Sequence, residues 1–177
     1  MHRILYICII SFFVFFSCKK SDVVDNNSNS NNNNNNNNNS SGDVVYNVNK
    51  TTLLQLVNDV RSKGCTCGTT VMPPVASVIW NDQLAKAGYD HSVDMQTNNY
   101  FSHTGQNGSD PGQRITAAGY IWTSYGENIA SGYTSEQAVI DGWLGSEGHC
   151  KNIMGANYKD MGVGRDGNYW TQEFGSK

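Results

Sequence analysis

Four short polar clusters stand out from a chain that is only 15% charged: His91-Ser92 through Asp94-Met95, Phe101-Ser102-His103, Gly126-Glu127-Asn128, and Ser146 through His149. Two neutral imidazoles and one carboxylate make a sound three-ligand set for zinc, with a fourth position open to water or substrate. His103, Glu127 and His149 are therefore candidate ligands for Zn or Ca. A second chemistry would use carboxyls alone, with Glu127 and Glu147 as the acid and base of a glycosidase if folding brings them within about 5–10 Å. Acyl chemistry finds no support: Ser146 lacks the setting of a nucleophile elbow, and Cys150 is better used in a disulfide. Each of these residues also has a purely structural use. Glu127 can accept backbone N–H bonds before Asn128-Ile129, His149 can organise the loop beside Cys150, and Asn81, Arg61 and Asn128 read as groups that cap helix ends or tie down loops.

The elements that must position these groups follow from periodicity. Leu53, Leu56 or Val57, and Val60 recur at helical spacing after Asn49 and Thr51, and Gly64 stands where a helix end favours a left-handed residue. Asn81 follows Trp80 and precedes Leu84, Ala87 or Gly88, His91 and Met95, so a second helix begins at an Asn cap and carries His91 on its apolar face as a hydrogen-bonded core or cleft-wall residue. Asp110-Pro111 opens a short helix through Arg114 that stops near Gly119. Thr134 and Gln137 have capping-box spacing for a helix bearing Ala138, Val139 and Trp143 that ends near Gly148. A strand is expected after Tyr120. Near the C-terminus the period changes to two: Met161 and Val163 alternate with small or polar residues, Asp166-Gly167 signals a hairpin, and Trp170, Gln172 and Phe174 share one face while Tyr169, Thr171 and Glu173 share the other. Helices followed by a hairpin imply an α+β domain layered around a central antiparallel sheet.

Before this domain lie two segments of other kinds. Arg3 precedes a 13-residue run from Ile4 to Phe16, apolar or weakly polar throughout and short for a bilayer span, so residues 1–17 read as a signal peptide. Ser17-Cys18 follows and resembles the lipobox of bacterial lipoproteins, in which that Cys is acylated. Residues 18–43 are dominated by Asn and Ser, with nine consecutive Asn from Asn31 to Asn39, and cannot bury enough apolar surface to order themselves. They read as a disordered tether of roughly 25–30 Å root-mean-square length. Residues 44–177 remain as one folded domain of 134 residues.

Charge and cysteines narrow the partners. With 12 Lys+Arg against 15 Asp+Glu the chain lacks the cationic surplus that nucleic-acid binding needs. Cys8 leaves with the signal peptide and Cys18 goes to lipid, so Cys65, Cys67 and Cys150 are left for an oxidising compartment: one disulfide and a third cysteine. Cys150 pairs with Cys67 or with Cys65. A metal site of Cys65-x-Cys67 with Cys150 and His149 is disfavoured, since zinc thiolates normally sit two or more residues apart.

Taken in order, Trp80-Asn81, Phe101-Ser102-His103, Gly126-Glu127-Asn128-Ile129, Trp143, Ser146-x-Gly148-His149 and Tyr169-Trp170-Thr171-Gln172 resemble the CAP superfamily of cysteine-rich secretory proteins, antigen five and pathogenesis-related proteins, whose domain is also called the SCP domain. The likeness runs from about Leu53 to Gly175. It implies a three-layer α-β-α sandwich with a central cleft, which in eukaryotic members holds two His and two Glu able to bind a divalent metal. His103 matches the first His, and Glu127 matches the Glu of the Gly-Glu-Asn motif. The second Glu is replaced by Ser146 and the second His by Tyr169, while His149 belongs to a shorter bacterial pattern and supplies a replacement imidazole. The expected function is an envelope-anchored binding module, held by its lipid at the outer membrane because Lys19 rather than Asp follows Cys18. Its cleft of His103, Glu127, His149, Ser146 and Tyr169 would take a lipid, peptide or glycan. A hydrolase of envelope substrates and a non-catalytic interaction protein are the alternatives.

Overall fold

The computed structural model describes residues 44–177; the signal peptide, Cys18 and the tether lie outside the described residues. The chain enters through a small hairpin, β1 (Val44–Val45) and β2 (Val48–Asn49), and runs directly into α1 (Lys50–Lys63), whose first turn is capped by the Asn49 side chain accepting from Thr52 N. Gly64 ends α1 and donates its N–H to Val60 O; its φ of 71° is positive as expected, but ψ 166° takes it out of the left-handed helical region into an extended conformation that glycine alone adopts freely. A second hairpin follows, β3 (Cys65–Cys67) and β4 (Thr70–Met72).

Two further helix starts follow local chemistry. Asn81 caps α2 (Asp82–Asn98) by accepting from Gln83 N and Leu84 N, and Asp110 and Gln113 form a complete capping box on α3 (Pro111–Ala117). The next helix departs from expectation at both ends. Ser135 rather than Thr134 is the cap of α4 (Glu136–Leu144), the helix stops at Gly145, and a separate helix α5 (Glu147–Ile153) restarts after Ser146. Thr134 and Ser135 are both competent caps; starting at Glu136 buries Val139, Ile140, Trp143 and Leu144 together, so packing makes the choice.

The sheet contains β5 (Ile79–Trp80), β6 (Ser124–Ser131), β7 (Asp160–Asp166) and β8 (Tyr169–Ser176) in the order β5-β7-β8-β6. The long pairs β6–β8 and β7–β8 are antiparallel as expected, whereas the short edge strand β5 runs parallel to β7. Its direction is set by α2, which begins at once from β5 and packs back over β7. Pairing of Asp166 with Tyr169 leaves Gly167-Asn168 at the hairpin tip, one residue later than the expected Asp166-Gly167, because Gly167 takes the positive φ of 53°.

Helices cover both faces and complete the α-β-α sandwich. On one face α1, α4 and α5 enclose Leu53, Val57, Trp143, Ile153, Met161, Val163, Trp170 and Phe174; on the other, α2 and α3 meet around Leu84, Ala87, Ile115 and Tyr120. The second layer sits unusually close to the sheet. A Cβ on Gly162 would overlap the Ala85 backbone, one on Gly164 the Tyr89 backbone, and one on Gly88 would lie 2.7 Å from Thr171 O. The alternation of Met161 and Val163 with glycines is thus two-sided: large residues fill one core while the glycines admit α2. Gly162→Ala is expected to destabilise the domain by about 2 kcal/mol, read as a lowered thermal midpoint, because backbone must move. Gly148→Ala, where a Cβ meets nothing within 4 Å, is the matched control and should be neutral or slightly stabilising.

Candidate functional site

His103 lies on the loop between α2 and α3, and that loop is pinned from both helices. The Asp94 carboxylate accepts from the Tyr100 hydroxyl and from Gln106 N (2.9 Å), and the His91 ring Nε2 sits 2.8 Å from Ser102 O. From the other side Arg114 donates to Ser109 O and His103 O, each at 2.9 Å. His91 is fully buried, and a carbonyl at Nε2 requires the proton there, leaving Nδ1 as an acceptor with no hydrogen-bond partner. Burial, and then the Arg114 charge, lower its pKa and favour this neutral form.

Glu127, on the outermost strand β6, connects the loop to the sheet. Its Oε1 lies 2.6 Å from His103 Nδ1 and its Oε2 accepts from Arg114 at 2.6 Å. The carboxylate is buried, at 2% side-chain exposure, while the His103 side chain is 53% exposed, so the buried acid holds an imidazole whose other face is open to solvent. Burial alone would raise the Glu127 pKa; the His103 bond, the adjacent Glu173 carboxyl and the Arg114 charge outweigh it and hold the group below the ordinary range. Directly opposite on β8 is Glu173, fully buried, with neither oxygen in a hydrogen bond of ordinary geometry. Desolvation and then the Glu127 charge push Glu173 well above the usual carboxylate range. Two carboxylates this close do not both ionise, and Glu173 keeps the proton.

A raised pKa in the folded state stabilises fully below the unfolded value of about 4.3 and loses that contribution as pH climbs through the folded pKa. Glu173→Gln, neutral at every pH, is therefore expected to melt higher than the wild type at pH 8, by about 3 °C or more, with the difference vanishing near pH 4. A fixed difference across that range would show that Glu173 does not carry the proton.

His149 is brought to the site by a different device. Asn128 donates to His149 O (3.2 Å) and to Gln172 Oε1 (2.9 Å), and Asn152 Nδ2 donates to Glu127 O (3.0 Å) and Asn128 Oδ1 (2.9 Å), so α5 is bolted to β6. The half-buried His149 ring has a lowered pKa, through desolvation first and the neighbouring His103 second. Ser146 occupies the N-cap of α5 without a side-chain cap bond. Tyr169 stands four residues along β8 from Glu173, roughly 13 Å at strand rise, with its ring 6.2 Å from that of Phe101. It takes no part in the His103–Glu127 pair. Glu147 is half exposed, pairs with Lys151 at 2.6 Å and faces Gly68, so the carboxyl beside Glu127 is Glu173 and not Glu147.

These positions test the metal expectation. Both Glu127 oxygens are engaged, one by a guanidinium that would repel a cation, and His103 offers its Nδ1 to that same carboxylate. The ligand atoms of His103, Glu127 and His149 do not gather within 4.8 Å of one another; among the described residues the one set that does is Cys65, Cys67 and Cys150. As arranged, the three residues do not fit a zinc or calcium centre. Arg114 and Glu173 are the site residues that sequence reasoning missed. Glu173 shared its strand face with Thr171 in the sequence pattern, yet only the β6–β8 register reveals that it opposes Glu127.

The cysteines follow the expected arithmetic, with the bridge formed by Cys67 and Cys150. Beside the cleft, Asp90, His91, Asp94, Gln106, Asn107, Ser109 and Arg114 line a hollow of about 450 Å³.

An α-β-α sandwich with its polar centre built from a loop His and a Gly-Glu-Asn strand defines a class, and comparison bears this out. The model of the cysteine-rich secretory protein (CAP) family matches residues 54–174, and the chain belongs to that family. It is 33% identical over 130 residues to the uncharacterised membrane protein YlbC of Bacillus subtilis, covering 73% of this chain and 35% of that protein. Among solved structures, an extracellular protein containing an SCP domain from Bacillus anthracis superposes with a TM-score of 0.64 at 32% identity, over 72% of this chain and 40% of the other. An outer surface protein of Borrelia burgdorferi shares the fold at a TM-score of 0.62 and 20% identity, over 72% of this chain and 91% of that one. The chain thus spans little more than a third of the curated relatives it matches.

Proposed function

We propose that this chain is an envelope-displayed CAP-domain binding module that holds a small glycan through His103 and the adjoining polar hollow. The observation that carries the reading is the exposed His103 imidazole fixed by buried Glu127 beside a hollow whose seven lining residues carry polar side chains yet present mostly their carbon atoms, a mixed surface of the kind a sugar ring matches. Such a surface offers preset donors and acceptors to hydroxyl and acetamido groups at little entropic cost. No serine or cysteine bonds to His103 among the described residues, which favours binding over nucleophilic catalysis. The proposed setting is the cell envelope, with residues 1–17 directing export, Cys18 acylated and residues 18–43 as tether. It is supported by relatives described as extracellular or membrane proteins. Among the described residues no helix is long and apolar enough to cross a membrane.

Calorimetric titration of the full chain with N-acetylglucosamine oligomers and soluble peptidoglycan fragments tests the proposal. His103→Ala is expected to weaken binding about tenfold, the worth of one hydrogen bond, and to lower the melting temperature because buried Glu127 loses a partner, so binding is compared well below both midpoints. Equal affinity in the variant, or no heat with any glycan, would refute it. New reducing ends released by the wild type and absent in Glu127→Gln would instead support the hydrolase alternative.

A further inference from the structure

The strand period brings three sulfurs together. Cys65 and Cys67 are two residues apart on β3, so both side chains leave the same face of the hairpin and meet Cys150 on α5. Cys67 forms the disulfide with Cys150, and the Cys65 sulfur lies 3.7 Å from Cys150 Sγ and 3.9 Å from Cys67 Sγ. All three are buried, at 7%, 0% and 0% exposure, so external thiols reach this bond far less readily than Cys65 does. We infer that Cys65, Cys67 and Cys150 form an intramolecular thiol–disulfide exchange centre, in which the covalent tie between β3 and α5 passes between Cys67–Cys150 and Cys65–Cys150.

The step is balanced within the protein. Cys65 gives up its proton, its thiolate attacks Cys150 Sγ, the Cys67–Cys150 bond breaks, and Cys67 departs as a thiolate that takes up a proton. One disulfide and one thiol exist before and after, and no outside oxidant or reductant is needed. Bond formation requires the sulfurs to close by about 1.7 Å, within the reach of a χ1 adjustment and a small strand shift. Chain entropy does not oppose the exchange: the alternative bridges have sequence separations of 83 and 85 residues, so the loop-closure terms are equal. Local packing alone sets the balance. Because Cys150 directly follows His149 and α5 is docked on Asn128, the choice of partner also bears on how α5 presents His149 to the cleft.

Site-resolved disulfide mapping of the full chain, purified without reductant, tests this. Wild-type protein is held folded at pH 8.5, where thiolate is more abundant, then acid-quenched, denatured, alkylated and sequenced by tandem mass spectrometry. The expected result is label on both Cys65 and Cys67, with peptides linking Cys150 to each. Label on Cys65 alone after prolonged incubation would overturn the inference. In Cys67→Ser the expected product is a Cys65–Cys150 bridge with neither residue alkylated, whereas a folded variant carrying label on both would overturn it. Should that variant fail to fold, the wild-type label distribution decides.

Discussion

Arg61→Met is expected to destabilise the domain by about 4 kcal/mol, among the largest losses that one substitution can produce here. Arg61 leaves α1 with no exposed surface and, among the described residues, no carboxylate partner. Its guanidinium instead donates to four carbonyls: Ala76 O at 2.8 Å, Ile153 O at 2.7 Å, Gly155 O at 3.1 Å and Tyr158 O at 3.3 Å. The segment before β5, the end of α5 and the loop into β7 are thus held by one side chain. Burial lowers the Arg61 pKa, yet a guanidinium remains charged at any working pH. Methionine fills most of the volume but takes the guanidinium donor from all four carbonyls; Gly155 O keeps Tyr158 N at 3.3 Å, and the other three lose about 1 kcal/mol or more each, to which the lost packing of the guanidinium adds. Urea unfolding checks this: the midpoint should fall with an unchanged slope, and Arg61→Lys, which keeps the charge but loses the planar fork, should fall between. A variant within 1 kcal/mol of wild type would mean that water reaches these carbonyls.

Cys150→Ser is expected to cost about 4.5 kcal/mol on the chain-entropy model, since it removes every bridge across a separation of 83 residues. The bridge ties β3 to α5, and α5 carries His149, so the loss should reach the cleft as well as global stability. Thermal unfolding without reductant should show a drop of about 12 °C or more, and backbone amides of α5 should exchange faster than those of α2. Cys67→Ser should be much milder if Cys65 takes over the bridge. Equal losses in the two variants would weaken the exchange centre while leaving the entropy argument for the bridge intact.

Local chemistry made much of the fold legible. Asn49, Asn81 and the Asp110-Pro111-Gly112-Gln113 run each cap a helix where their side chains satisfy nearby amides, and Gly64 stops α1 by its own conformational freedom. These signals act within four residues and need no tertiary context. Where two residues were equally competent, as with Thr134 and Ser135, or where a helix was cut at Gly145, the buried face decided.

By itself the sequence determined the family, the α+β layering, His103 and Glu127 as candidate cleft residues, and a single bridge to Cys150, because each rests on residue type in a local frame. Tertiary structure decided the rest. It paired His103 with Glu127, set Glu173 against Glu127 through strand register, recruited Arg114 to the carboxylate, placed Tyr169 and Glu147 away from that pair, and directed Arg61 to four carbonyls. The surroundings of Glu127 escaped the sequence for the same reason: ligand type can be read from residues, but whether a carboxylate meets a cation or a guanidinium depends on which helix packs beside it. Such partners lie tens of residues apart, and only the close approach of α2 and α3 to the sheet, admitted by Gly88, Gly162 and Gly164, brings them into one place.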